Sequence, residues 1–165
     1  MELVTKYFSK MEYNDNEIIF FEDGLFGFEQ YKKFILIRFE NNNSSPICLQ
    51  SIDESDIAFV MINPYDFIPD YHVSLKEMDF KNLELMDSNN LATYNICVLK
   101  DDVPKSTTNL RCPIIVNTET RFAKQIILDD SDYPFKYPFH KLINKEGWYA
   151  GITEKSWSIH IYRWR

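Results

Sequence analysis

Short runs of apolar and β-branched residues recur along the chain, and clusters of turn-forming residues separate them. In the first run, Leu3–Phe8, side chains at every second position would share one face, which is the period of a β-strand. The Asn-rich and Ser-rich segment Asn41–Pro46 is predicted to be a loop. Further strands are predicted at Glu17–Phe21, Phe34–Phe39, Ile47–Ser51, Ile57–Asn63, Thr93–Leu99, Ile114–Asn117 and Gln125–Leu128.

One segment has the period of a helix instead. Asp79–Asp87 places Phe80, Leu83 and Met86 three residues apart, on one helix face, and Asp79 is a suitable N-cap. Parallel βαβ units would need a helix after nearly every strand. The pattern therefore predicts a mainly β fold, an antiparallel small barrel-like or sandwich domain with one or two short helices.

Charge is unevenly distributed along the 165 residues, whose net charge is −7. Residues 1–140 hold 13 Lys and Arg against 23 Asp and Glu, a balance of −10, whereas residues 141–165 hold five against two, a balance of +3. An acidic body repels the phosphates of nucleic acids, so we expect no direct binding of RNA or DNA. The same charge suits a basic protein partner.

The cysteines and the N-terminal residues indicate a cytoplasmic protein. The chain has an odd number of cysteines, Cys48, Cys97 and Cys112, and they lack a C-x-x-C spacing. This favours buried free thiols in a reducing compartment. Residues 1–15 carry charges throughout and contain no apolar core of a signal peptide. No uncharged apolar run approaches the roughly 20 residues of a membrane helix, so no membrane association is expected.

The histidines and glycines predict no catalytic, cofactor or metal site. His72, His140 and His160 are far apart in sequence and have no metal-ligand spacing. Acidic residues flank Gly24–Gly27, and no Lys follows in a Walker arrangement, so this segment is predicted to be a tight turn rather than a phosphate loop.

The acidic clusters Asp53–Asp56 and Asp129–Asp132 lack the EF-hand pattern and are predicted to be solvated loops. Docking charges for a basic partner are an alternative interpretation of both clusters. The sequence thus predicts a protein without enzymatic activity.

Two other classes of protein share this predicted architecture. An OB-type barrel that binds nucleic acid would need a basic groove with exposed aromatic residues, whereas residues 1–140 have the opposite sign of charge. An enzyme or ligand carrier that uses the barrel mouth would need convergent polar groups, and the sequence shows no such constellation.

Several short sequence motifs follow one another in a fixed order. They are Phe21–Glu29, Leu49–Asp53, Phe59, Asn63-Pro64, Phe67, Pro69, Asp70, Tyr71, Thr108–Leu110, Pro113–Asn117, Arg121, Gln125 and Leu128. Together these motifs resemble the FliW family over residues 1–139. Phe26 stands where the family usually has Pro, and Ala123 stands where it usually has Gly. The segment after Phe139 is the largest departure.

The resemblance implies a protein-binding module without catalytic residues. FliW proteins bind newly made flagellin, and they bind CsrA, a small RNA-binding dimer that blocks flagellin translation. When flagellin is exported, freed FliW sequesters CsrA through a contact that lies away from the RNA-binding surface of CsrA, and translation resumes. For this chain we predict surface contacts at Asp66, Asp70 and Tyr71, because they lie in a Pro-bounded loop where binding residues concentrate.

The C-terminal segment is predicted to add an element to the domain of residues 1–140. Tyr133–Phe139 repeats Tyr-Pro-Phe, which favours extended chain. Residues 141–165 contain all three tryptophans, and Lys155–Arg165 alternates with a period of two. We expect an extra strand on an edge of the same acidic body or on a neighbouring chain, which would give self-association. The alternative is an appendage outside the fold.

Overall fold

The computed structural model describes residues 1–39, 45–86 and 89–142. One α-helix lies in this part of the chain, α1 at Glu77–Asn82. The β-strands of the same part are β1 Glu2–Val4, β2 Lys10–Glu12, β3 Ile19–Phe21, β4 Lys33–Arg38, β5 Ile47–Ser51, β6 Ala58–Ile62, β7 Leu91–Val98, β8 Thr107–Thr108, β9 Ile114–Asn117, β10 Phe122–Gln125 and β11 Tyr137–Pro138.

Seven of the strands close into a barrel in the order β7-β6-β5-β4-β3-β10-β9, and β9 pairs again with β7. Six of the seven pairings are antiparallel, and the pairing of β3 with β10 is parallel. Strands β8 and β11 extend the sheet from the end of β7, and β1 and β2 form a separate hairpin. The predicted mainly β, barrel-like fold with a short helix is confirmed.

The barrel interior is filled by large apolar side chains, including Phe21, Phe34 and Met61. A second cluster lies outside the barrel wall, where the β1–β2 hairpin covers the outer faces of β4 and β5. Strand β5 is consequently buried on both faces, and every one of its five residues is inaccessible to solvent. This double burial explains why its first three residues form a continuous apolar run rather than an alternating pattern.

The strand predictions are accurate where a strand is buried on both faces and less accurate elsewhere. The predicted bounds of Ile47–Ser51 and Ile114–Asn117 agree with β5 and β9. The predicted strand Gln125–Leu128 is displaced, since β10 ends at Gln125. The chain nevertheless stays paired beyond β10, because the Leu128 N–H donates to the Arg111 carbonyl at 2.9 Å.

The predicted helix has the wrong bounds and the wrong cap. Helix α1 begins after Lys76, and Asp79 lies within its first turn, where its carboxylate accepts the Lys76 N–H at 2.8 Å. A carboxylate at this position satisfies an N–H that the helix itself leaves unpaired. The helix ends early because Glu84 adopts a φ of +50°.

The predicted apolar face of the helix is also wrong. Leu83 is fully buried against the outer surface of the barrel, whereas Phe80 is exposed and Met86 is entirely exposed. Of the three predicted apolar positions, Leu83 is the buried one, and Phe80 and Met86 face solvent.

The Tyr-Pro-Phe segment forms the edge of the sheet, as β11 pairs with β8 through Tyr137 and Pro138. An edge position suits Pro, which cannot donate a ladder hydrogen bond. The chain then continues to Leu142, which is buried. The predicted strand in Lys155–Arg165 lies outside the described residues.

Candidate protein-binding surface

The loop after β6 is held in one conformation by its own backbone. The Asn63 side chain accepts the Tyr65 N–H at 3.0 Å, and Pro64 begins a single 3-10 turn at Pro64–Asp66. The Ile68 N–H then donates to the Pro64 carbonyl at 2.8 Å. Asn and Pro at these positions are turn formers, so the dipeptide Asn63-Pro64 sets the direction in which the loop leaves the barrel.

The predicted surface position of Tyr71 is wrong. Its side chain is 3% exposed, and its hydroxyl donates to the Leu110 carbonyl at 2.6 Å. The Asn95 amide in turn donates to the Tyr71 oxygen at 3.2 Å. Burial raises the pKa of Tyr71, so the hydroxyl keeps the proton that it donates. Tyr71 is thus an anchor of the loop rather than part of its exposed face.

A row of aromatic rings runs from this loop to the segment before β11. The Tyr65 ring lies 5.9 Å from that of Tyr71, which lies 4.7 Å from that of Tyr133. Tyr65, at one end of the row, is 42% exposed, and Phe135, two residues after Tyr133, is 59% exposed. Tilted and edge-on rings at these distances pack favourably, so the exposed Tyr65 ring is supported by the buried ring of Tyr71.

Acidic side chains line the same row. Asp66 and Asp70 are both exposed, and so is Asp132. Partial burial raises the pKa of Asp66, while the nearby Arg38 acts in the opposite direction. We call the surface formed by Tyr65, Asp66, Asp70, Asp132 and Phe135 the acidic–aromatic face.

The guanidinium of Arg111 lies beside this face but is engaged within the chain. It lies 5.9 Å from the centre of the Phe135 ring and donates to the backbone carbonyls of Ser131 and Asp129. Its hydrogen bonds therefore fix the 129–132 loop, and the carboxylates of that loop remain exposed toward solvent.

A second exposed feature is the turn Gly24–Glu29. Gly24 and Gly27 have φ values of +74° and +80°, which agrees with the predicted tight turn. The turn buries Leu25 and presents Phe26, which is 50% exposed. The Phe26 N–H donates to the Gln125 side chain at 3.0 Å, so the turn is tied to the end of β10.

An open groove of about 400 Å³ lies between this turn, the end of β10 and the start of α1. Phe26 and Ile127, which is 45% exposed, contribute its apolar lining. Lys124 and Asp79 form an ion pair in the groove at 3.0 Å. Sequence reasoning missed this groove, although the Ile126-Ile127 pair gave a signal, since Ile126 is buried and its apolar neighbour Ile127 is left on the surface.

Other polar residues of the sequence motifs listed above have structural roles. Gln50 is fully buried, accepts the Lys6 N–H at 3.0 Å and donates to the Ile57 carbonyl. The Asn109 side chain accepts the backbone N–H of Arg111 and of Cys112. These groups satisfy backbone atoms in connections between strands, where regular ladder bonds end.

The three cysteines are buried free thiols, as predicted. Burial raises the pKa of both Cys48 and Cys97 to about 12. In the described part of the chain, no three metal-binding side chains come together, and no helix is long and apolar enough to cross a membrane. His160 lies outside that part.

A closed seven-stranded β-barrel with an acidic–aromatic face is the class of structure that these features define. The FliW protein family matches residues 2–139 of the chain. A crystal structure of the flagellar assembly factor FliW superimposes with a TM-score of 0.78 and 30% identity, covering 84% of this chain and 96% of that one.

Curated relatives agree over the same region. The flagellar assembly factor FliW of Thermoanaerobacter pseudethanolicus is 41% identical over 139 residues, which cover 84% of this chain and 92% of the relative. That of Clostridium tetani is 39% identical over 145 residues, covering 88% and 99%. The chain belongs to the FliW family of flagellar assembly factors.

Proposed function

We propose that this protein is a cytoplasmic flagellar assembly factor that binds flagellin and the translational regulator CsrA. By sequestering CsrA it relieves the repression of flagellin translation, and it acts by binding rather than by catalysis. The observation that carries this proposal is the family match over residues 2–139. The exposed acidic surface of the barrel suits a basic partner such as CsrA, and its exposed apolar surface suits the apolar segments of flagellin.

The contact with CsrA is assigned to the acidic–aromatic face. An RNA-binding protein such as CsrA has a basic charge whose field extends beyond the RNA-binding surface, and opposite charges speed the encounter of two proteins. The exposed rings of Tyr65 and Phe135 supply apolar area beside the carboxylates. Aromatic residues of this kind often dominate the energy of protein interfaces.

A gel-shift assay with CsrA and its target RNA, together with stopped-flow measurement of association with CsrA, tests this contact. Added protein is expected to free the RNA, and the Asp66→Asn/Asp70→Asn variant should associate with CsrA about tenfold more slowly at low salt. The matched control is Asp53→Asn/Glu54→Gln, which removes two charges from the turn at the opposite end of β6. Equal rates for the two variants would contradict the assignment.

The same assay separates this proposal from the OB-type alternative. A protein that binds RNA itself would shift the RNA without CsrA, and that result would overturn the sequestration mechanism. The described barrel has seven strands where the OB fold has five. The charge of residues 1–140 is also unfavourable for RNA.

The contact with flagellin is assigned to the groove that contains Phe26 and Ile127. An unassembled flagellin subunit has apolar segments that lack their filament partners, and these exposed side chains would cover them. Calorimetry with monomeric flagellin should show binding with a negative heat-capacity change. Phe26→Ser should weaken it by about 1.5–3 kcal/mol, whereas Val98→Ser, which changes an exposed apolar residue elsewhere on the barrel, should not.

A further inference from the structure

The described chain ends beside the acidic–aromatic face. Leu142 is buried in a cluster that also contains Phe67 and Ile62. Phe67 directly follows Asp66, and Ile62 is the last residue of β6, before the loop. The described chain therefore stops at the same end of the barrel as the exposed carboxylates of that loop.

The sequence of residues 143–165 is complementary to this face. It contains all three tryptophans of the chain, Trp148, Trp157 and Trp164. It also holds four cations, Lys145, Lys155, Arg163 and Arg165, against two acids, Glu146 and Glu154. The family match stops at residue 139, so this basic and aromatic segment is an addition to the matched region.

We propose that residues 143–165 bind the acidic–aromatic face of their own chain and compete there with a basic partner. The tryptophans would pack on the exposed rings of Tyr65 and Phe135, and the cations would lie opposite Asp66 and Asp70. The identification of the displaced partner as CsrA rests on the proposed function. The binding of the segment to the face is independent of the proposed function.

Two other acidic surfaces fit the segment less well. Near the end of the described chain, Asp102 already forms an ion pair with Lys105 at 2.9 Å. The Asp53–Asp56 turn lies at the far end of β6. The loop with Asp66 and Asp70 combines proximity, exposed carboxylates and exposed rings.

A tethered segment needs little intrinsic affinity to occupy such a face. Short flexible linkers give effective concentrations in the millimolar range. A segment whose separate peptide bound with a Kd of about 0.1 mM would then occupy the face about ten times out of eleven, and would weaken a competitor about tenfold.

Tryptophan fluorescence of the full chain tests the binding directly, because every tryptophan lies in this segment. In Asp66→Asn/Asp70→Asn, and more strongly with Tyr65→Ala added, the emission should shift to the red and acrylamide should quench it more. The control Asp53→Asn/Glu54→Gln should behave as the wild type. Circular dichroism and the melting temperature confirm that each variant is folded.

Three results would overturn the proposal: unchanged emission in the face variants, an equal shift in the control, or emission that depends on protein concentration. The last would place the segment on a second copy. With Trp157→Ser/Trp164→Ser, CsrA should bind about tenfold more tightly. Segment binding without any CsrA affinity would refute the proposed function and leave the intramolecular contact standing.

Discussion

The hydroxyl of Tyr71 donates a 2.6 Å hydrogen bond to the backbone carbonyl of Leu110, 39 residues further along the chain. Asn95, fully buried in β7, donates to the same hydroxyl oxygen and to the Asn109 carbonyl. The loop that presents Asp66 and Asp70 is therefore bonded to the connection before β9. Its exposed carboxylates are positioned by groups that are themselves buried.

Replacement of Tyr71 by Phe should destabilise the protein by about 1–3 kcal/mol, since the buried Leu110 carbonyl and Asn95 amide lose a partner. Urea denaturation followed by circular dichroism measures this loss. Tyr65→Phe is the control, because its ring is 42% exposed and water can replace any bond of its hydroxyl. Equal stability of the two variants would show that the Tyr71 bond does not hold the loop.

The two turn glycines should respond differently to Ala. At Gly27 a Cβ meets nothing within 4 Å, so Gly27→Ala should cost about 1–2 kcal/mol for its left-handed conformation alone. At Gly24 a Cβ would lie 2.7 Å from the Cα of Glu29, which adds about 1–3 kcal/mol of overpacking. Thermal melts of both variants compare the two costs, and a less stable G27A would contradict the geometry.

The ion pair between Lys124 and Asp79 should matter more than the one between Lys76 and Asp129. The first pair is 20% and 10% exposed at its side chains, whereas the second is 63% and 60% exposed. Lys124→Met leaves the Asp79 carboxylate without its cation, and we expect a loss of about 1–3 kcal/mol. Lys76→Met should leave the urea midpoint within error, because solvent screens that pair.

The free energy of unfolding should fall in alkaline solution, because the buried thiols resist ionisation in the folded chain. Burial raises the pKa of Cys48 and Cys97 from 9.0 to about 12. Between pH 9 and 12 the unfolded chain therefore loses thiol protons that the folded chain keeps. Each thiol lowers the free energy of unfolding by up to about 1.4 kcal/mol per pH unit there.

Urea titrations between pH 8 and 10.5 measure this slope. The Cys48→Ala/Cys97→Ala variant is the comparison, and its stability should decline less steeply above pH 9. Tyrosines and lysines titrate in both proteins, so the difference between the slopes isolates the thiols. Identical slopes would contradict the assigned burial.

The sequence predicted what depends on local period and turn chemistry. Short apolar runs bounded by turn formers predicted β5 and β9 with their bounds, and the glycines predicted the turn at Gly24–Glu29. It did not predict that Tyr71 is buried, because an exposed and an anchored tyrosine look alike in a loop. The difference lies in the distant Leu110 carbonyl.

The groove was missed for a related reason. Phe26 and Ile127 lie about a hundred residues apart, and the parallel pairing of β3 with β10 and the bond from Phe26 to Gln125 bring their segments together. The prediction of the apolar helix face was wrong because α1 is short. A spacing of three carries little information when, of the three predicted residues, Leu83 is the one that packs against the barrel. Tertiary contacts decided these points, and no local window contains them.

The parallel pairing of Ala123 with Phe21 closes the barrel between strands about a hundred residues apart. On the ribosome the first six barrel-forming elements would emerge with β3 and β9 still lacking the strand that joins them. Until β10 is synthesised, the nascent chain exposes an open sheet edge and much of its future interior. Synthesis and folding of this protein are thus coupled late, because the barrel can close only after β10 has left the ribosome.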